Sequence, residues 1–377
     1  MKYIDECKEI VITVYQFNET GYNVKITIIV FQGDYRMNLY KEVESIWESN
    51  WESNFDERLN DWLKRIKNAS DLLKGRGRKE YRNSYPLRLY SSVSGAKDLT
   101  FSLRFCGREI AKLNLQSNPP QLEITKEHIK HNNNFGFKEI DKPKSDYNMD
   151  HVDIKKIRKY YKTYIDEKGW HNIKTGKPEH VIESRLIEAI ERKKNIKIGV
   201  ERFPNIRLVK LLDFPFQMPL PISASKGRPK KADGHIDILA RWGHSGKPKI
   251  AILELKKPDL NLTQTKEAIK QLYIYAVTLL FWLRSSHGES LYKFLGYNFS
   301  VQLPKKNQIK AVLTICENDK KQLEEAIKSI DKNELPCKFN KVSLLKNDSI
   351  KFYVSYYKID SSNNGHLKLL EPQELDL

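Results

Sequence analysis

A strand that enters a core has no structural use for a carboxylate and an ammonium on one face. "KIAILELKKPDL" (249–260) nevertheless runs four apolar residues into Glu254, Leu255, Lys256 and Lys257, and Pro258 then ends it. Side chains alternate along a strand, so Glu254 and Lys256 point the same way. Upstream, "DGHIDILARW" (233–242) reads as a second strand with Asp237 near its start, and the turn-rich "GHSGKP" joins the two. Pairing them as a β-hairpin brings Asp237 beside Glu254. Two carboxylates at one point repel unless a cation lies between them, and Mg²⁺ takes hard oxygen ligands. A lysine alongside, its pKa lowered by its surroundings, can orient or deprotonate a water. Two carboxylates, a lysine and a divalent metal can hydrolyse a phosphodiester by in-line attack of water.

The flanking elements supply further candidates. On a helix at "PEHVIESRLIEAIERKK" (178–194), Glu183 shares a face with Leu186, Ile187 and Ile190, which turns its carboxylate inward. Glu188 falls with Ser184, Arg185, Glu191 and Arg192 on the face expected to be wet. On a long helix at about 263–284, Gln271 and Tyr275 are one turn apart and face one way. Core packing is an equal reading for this pair, because Leu272, Ala276, Leu279 and Leu280 surround it. "SASKGRPKKADG" (223–234) is a basic loop whose Lys226, Arg228, Lys230 and Lys231 would grip backbone phosphates, with Lys257 as a similar candidate; a solvated loop is the alternative.

The remaining chain predicts an N-terminal α+β module over 1–145. Residues 1–40 alternate as a hairpin, and 39–74 turn helical on Trp47, Trp51, Phe55, Leu59 and Trp62. Strands resume at "LRLYSSV", "LTFSLRFC" and "IAKLNLQ". The polar run 130–150 reads as a linker. Two helices, strands at "IRLVKLLDF", "GHIDILARW" and "KIAILELK", the long helix, a strand at "IKAVLTICE", a helix at "DKKQLEEAIKSIDK" and a closing hairpin over "VSLLKNDSIKFYVSYYKI" fill 150–377.

The spacing G-H-I-D, 16 residues, E-L-K resembles the PD-(D/E)XK nuclease signature, with Ile236 where a proline is usual. Helix, three strands, helix, strand over about 175–335 is also that superfamily's core order. The Q-x-x-x-Y pair resembles its RecB-type branch, and the run from Glu254 to Ala276 resembles the nuclease domain of Shedu anti-phage defence proteins. The resemblance implies a restriction-endonuclease-like domain over 150–377, a mixed sheet flanked by helices. It implies Asp237 and Glu254 as ligands of Mg²⁺ or Mn²⁺, Glu183 completing the shell and Lys256 positioning the water. Gln271 and Tyr275 would lie beside the site. A homo-oligomer, dimer or tetramer, is implied by the family alone.

Charge is distributed in keeping with a polyanionic partner. Residues 1–150 hold 24 Lys+Arg against 22 Asp+Glu, and residues 151–377 hold 42 against 26. The four cysteines are far apart, which argues against a zinc ribbon, an iron–sulfur cluster or a disulfide framework and suggests free thiols in a reducing cytoplasm. The apolar run 272–283 is too short to span a bilayer. No GxxxxGK[ST] motif is present. The expectation is a cytoplasmic, metal-dependent DNA endonuclease or nickase used in defence. A sequence-specific restriction enzyme and a catalytically idle nucleic-acid-binding protein of the same fold are the alternatives.

Overall fold

A computed structural model of the chain describes residues 8–17, 23–32, 38–49, 55–73, 87–93, 99–105, 107–114, 121–124, 144–146, 152–168, 178–191, 206–211, 214–243, 249–295, 302–339, 344–360, 366–369 and 372–375. Contacts divide the chain into residues 1–38 and 39–377. In the first unit, β1 (Lys8–Phe17) and β2 (Asn23–Gln32) pair antiparallel along their full lengths, the hairpin expected from their alternation.

The second unit opens with α1 (Leu39–Glu48) and α2 (Asp56–Leu73). An antiparallel run follows, of β3 (Leu87–Val93), β4 (Leu99–Phe105), β5 (Arg108–Asn114), β6 (Gln121–Glu123) and β7 (Lys144–Asp146). After α3 (Val152–Lys168) and α4 (Pro178–Glu191) come β8 (Ile206–Leu208), β9 (Lys210–Leu211), β10 (Phe214–Leu220), β11 (Ser223–Ser225), β12 (Arg228–Lys230), β13 (Gly234–Ile236), β14 (Ile238–Trp242) and β15 (Lys249–Leu255). The chain continues through α5 (Leu262–Leu283), α6 (Gly288–Phe294), β16 (Gln308–Cys316), α7 (Lys320–Ser329), β17 (Ser349–Asp360), β18 (His366–Leu369) and β19 (Gln373–Leu375).

Two sheets organise these elements. The first has the order β13-β10-β3-β4-β5-β6-β7, and the second β18-β17-β16-β15-β14-β8. In the second sheet β15, β16 and β17 run parallel, with α5 and α7 in the crossovers, while β14 and β8 are antiparallel. Both faces are covered, which is why β15 reads as a nearly unbroken apolar run. Ile250 and Ile252 join the core around α5, and Ala251, Leu253 and Leu255 the core around α4. Residues 272–283 of α5 are buried throughout, their outer side covered by aromatic residues of α1 and α2. Trp47 stacks on Phe281 at 5.2 Å and Trp62 on Trp282 at 6.5 Å between ring centroids.

The structure departs from the sequence reading at several places. "GHIDILARW" is two strands rather than one: it breaks at Asp237, with β13 in the first sheet and β14 in the second. β10, carrying Pro215 and Pro219, went unread because proline interrupts a ladder. It shares itself among three partners, pairing β9 at 214–215, β3 at 216–217 and β13 at 218–220. Through β10 and β13 the first sheet spans the boundary expected near 145–150. Within the expected linker, 144–146 pair with β6, and the rest lies outside the described residues, as does Trp51. The closing hairpin is not formed as expected: 344–347 are a turn and 342–343 lie outside the described residues. β17 instead takes a parallel place beside β16.

The helix α4 is the largest correction. Its residues 182–190 are all buried, so the face carrying Ser184, Arg185 and Glu188 is not wet. The first sheet meets that face with Arg88 of β3, itself 2% exposed, which donates to both Glu188 and Glu191. A charged stripe on a helix is ambiguous by itself, because a buried partner can supply its counter-charge from a distant strand.

Candidate functional site

Asp237 occupies the bend at which the chain leaves the first sheet and enters the second. The pairing of Ile238 with Leu253 puts Asp237 beside Glu254, and its Oδ2 accepts from the Leu255 backbone N–H at 2.9 Å. Glu254 lies at the end of β15, 3% exposed, and its Oε1 accepts from Lys256 Nζ at 2.6 Å. The same ammonium donates to Gln271 Oε1 at 3.0 Å, and Gln271 Nε2 donates to the Tyr275 hydroxyl at 3.2 Å. One polar chain therefore runs from Glu254 through Lys256 and Gln271 to Tyr275, at the point where α5 passes from its polar first half to its buried second half.

The backbone that carries Lys256 is fixed from two further strands. Its N–H donates to Thr314 O of β16 at 3.0 Å, and its carbonyl accepts from the Tyr357 hydroxyl of β17 at 2.8 Å. Pro258 then ends the strand. Asn261 and Gln264 form a reciprocal capping box that starts α5 three residues later, at 2.8 and 3.1 Å. That start brings Gln271 and Tyr275 back over the strand end.

Glu183 comes from α4 and is 6% exposed. Gln217 of β10 donates to its Oε1 at 2.9 Å. Burial, opposed by Arg104 and reinforced by Asp237, raises its pKa to about 8. Burial and the charge of Asp237 likewise raise Glu254 to about 8, against Lys256. Asp237 is raised to about 6 by burial, against Lys256 and the Leu255 N–H. The lysine does not follow the expectation of a lowered pKa. Burial opposes its charge, but Glu254, Asp237 and Glu179 outweigh burial and hold it at about 12. In this geometry its Nζ donates to Glu254 and Gln271.

No family model, curated protein or solved structure matches this chain.

The basic segment 223–234 is a tight hairpin rather than a loose loop. β11 and β12 are joined by Lys226 and Gly227, both left-handed at φ 52° and 68°, which is a two-residue primed turn. Lys226, Lys230 and Lys231 are exposed, as is Lys257. Arg228 is partly exposed but already paired with Glu42 of α1, and lies 4.0 Å from Glu334. The hairpin follows α5, with Gly227 against Lys270 and Glu267. At Gly234 a side chain would meet Ile222 O at 2.7 Å and the Tyr275 ring at 2.9 Å. The absence of a side chain at that position lets Tyr275 pack against β13.

Three residues near the carboxylates gave no signal in the sequence. Glu179, at the start of α4, accepts from the Lys257 N–H at 3.4 Å. Gln217 lies on the proline-flanked strand, and Arg104 lies on β4, far away in the chain. Only contacts between segments distant in the chain bring them here: Glu179 meets Lys257 across 78 residues and Gln217 meets Glu183 across 34.

Asp237, Glu254 and Glu183 are hard oxygen donors drawn out of water, each made harder to ionise by burial. A divalent cation would relieve that cost, so the donor chemistry fits Mg²⁺ or Mn²⁺. Among the described residues no three His, Cys, Asp or Glu groups stand together as a ready-made metal cluster. Of the cysteines, Cys316 is buried and Cys337 is half-buried with its Sγ donating to Leu335 O at 3.5 Å, while Cys7 and Cys106 lie outside the described residues. No helix among the described residues is long and apolar enough to cross a membrane.

Proposed function

We propose that the chain is a metal-dependent DNA endonuclease or nickase that hydrolyses phosphodiester bonds. The observation that carries the reading is the ion pair of Lys256 with Glu254 at a buried strand end, extended to Gln271 and flanked by Asp237. An ion pair at such a depth costs desolvation that an apolar pair would avoid, which favours a chemical use over a structural one. Asp237 and Glu254 would hold Mg²⁺ or Mn²⁺, with Glu183 completing the set. When bound, the cation supplies positive charge to the phosphoryl oxygens and acidity to a coordinated water.

The chain's own groups do the positioning. Lys256 already donates to Glu254 and Gln271, and its third N–H is left to position the attacking water at the phosphate. Gln271 accepts one of its protons and fixes its direction, and Tyr275 fixes Gln271. A role in defence against foreign DNA belongs to the same proposal, on the resemblance of residues 254–276 to defence nucleases, as does a homo-oligomeric state, which the family alone implies.

The test uses the full chain with supercoiled and linear DNA in Mg²⁺, Mn²⁺ or EDTA, beside Lys256→Ala and Glu254→Ala. Metal-dependent nicking lost in both variants supports the reading. Salt-sensitive DNA binding without cleavage, unchanged in the variants, would replace it with a binding protein.

A further inference from the structure

The first sheet has two unlike faces. Leu89, Phe101, Leu103, Phe216, Met218 and Ile236 are buried on one of them. The other is polar, and the strand registers define it. Arg88 lies directly opposite Arg104, and Tyr90 opposite Ser102, so all four share a face across β3 and β4. Gln217 of β10 reaches Glu183 from this face, and His235 of β13 pairs with Pro219, two residues along from Gln217. This polar face therefore looks toward α4 and the carboxylates.

Its two opposed arginines are treated differently. Arg88 is buried and neutralised by Glu188 and Glu191. Arg104 is half-buried, and neutral groups hold it: its Nε donates to Ser102 Oγ at 2.9 Å and its guanidinium lies over the Tyr90 ring at 4.5 Å. Among the described residues no carboxylate stands within ion-pair distance of it. A β-bulge adds Ile110 to β5 opposite Leu103 and Arg104, a device that twists the strand and re-aims the side chain there. The turn after β4 is pressed onto the start of α4, where a side chain at Gly107 would meet His180 O at 2.3 Å. This seats Arg104 at the helical turns that carry Glu183, and its charge acts on Glu183 and His235.

We propose that Arg104 binds a backbone phosphate of the DNA substrate at the margin of the polar face that α4 leaves uncovered, where Arg104 and Gln217 are half-buried and His235 is exposed. This rests on the nuclease reading of the site. A stacked guanidinium presents its remaining N–H groups as a planar fork, which suits a phosphate better than a lysine does. It also brings a cation of the chain's own near Glu183, where an incoming phosphate would otherwise meet only carboxylates. The exposed lysines of the β11–β12 hairpin then add general attraction, and Arg104 sets position.

The experiment measures binding of a short fluorescent duplex to the full chain in Ca²⁺ across a salt series, with cleavage in Mg²⁺ measured separately, for wild type, Arg104→Gln and Arg104→Lys. Arg104→Gln should weaken binding roughly tenfold and raise KM. It should also lower the salt slope by about 0.9, the loss of one phosphate contact. Arg104→Lys should keep the slope and recover part of the affinity. Unchanged affinity and slope in Arg104→Gln would overturn the proposal. So would a fall in kcat alone, which would make Arg104 a support for Glu183. Should Arg104→Gln fail to fold, Arg104→Lys decides: several-fold weaker binding at the same slope supports the phosphate contact, and wild-type binding rejects it. A wild type that neither binds nor cuts DNA refutes the nuclease reading itself, an outcome distinct from failure at Arg104.

Discussion

Replacing Glu183 by Gln probes the electrostatics of the site with little change in packing. The side chain is buried on α4, and the bond its Oε1 accepts from Gln217 is one that a glutamine oxygen can keep. Burial, opposed by Arg104 and Gln217 and reinforced by Asp237, moves its ionisation from the ordinary 4.5 to about 8. Below pH 4.5 the carboxyl is protonated in the folded and unfolded chains alike and makes no difference to stability. Between 4.5 and 8 the unfolded chain releases the proton while the folded chain retains it, so stability falls as pH rises; above 8 the loss is complete. At about 1.36 kcal/mol per pH unit, the cost is roughly 3 kcal/mol at pH 7 and roughly 5 kcal/mol above pH 8. Glutamine carries no such cost. In EDTA, Glu183→Gln should match wild type near pH 4.5 and exceed it by a few kcal/mol at alkaline pH, measured by denaturant unfolding across a pH series. Mg²⁺ at alkaline pH should narrow the gap by stabilising the wild type. A stability difference that is independent of pH, or that favours wild type as pH rises, would refute the argument, because Glu183 would then be charged and satisfied in place.

Other expectations follow from single contacts. Arg88→Met removes the guanidinium that pairs with buried Glu188 and with Glu191, leaving Glu191 its bond to Lys210 at 2.7 Å; it should cost about 3–5 kcal/mol in denaturant unfolding. Gly234→Ala drives a methyl into Ile222 O and the Tyr275 ring. It should cost about 1–3 kcal/mol and alter the near-ultraviolet circular dichroism of the tyrosines. Gln271→Leu removes the acceptor of Lys256 and the donor to Tyr275. DNA cleavage should fall roughly tenfold while binding in Ca²⁺ is unchanged, the loss of one hydrogen bond to a charged group.

The parts of the site that local rules govern could be read from the chain. A period of two puts Glu254 and Lys256 together, hairpin register brings Asp237 to them, and a spacing of four pairs Gln271 with Tyr275. The structure brings these five into contact or adjacency through those same relations. The rest depends on pairings no local rule specifies. β10 meets β3 only at Phe216–Gln217, across more than a hundred residues, and two prolines disguise it as a loop. Without a strand signature at β10, nothing in the sequence carries the first sheet to Asp237 or gives Arg104 and Gln217 a place beside it. The misjudged face of α4 has the same origin: Arg88 turned a stripe expected to be wet into a buried one.

The bend at Asp237 makes the spacing of the carboxylates a mechanical quantity. On one side of this single residue the chain is bonded into β10, and on the other into β15. No flexible loop intervenes to absorb a change in the angle between the sheets. A rotation of the first sheet by a few degrees would move Gln217 and Arg104 relative to Glu254 and Lys256, with Asp237 as the pivot. Anything that grips the outer strands of the first sheet thus holds a lever whose short arm ends among the carboxylates.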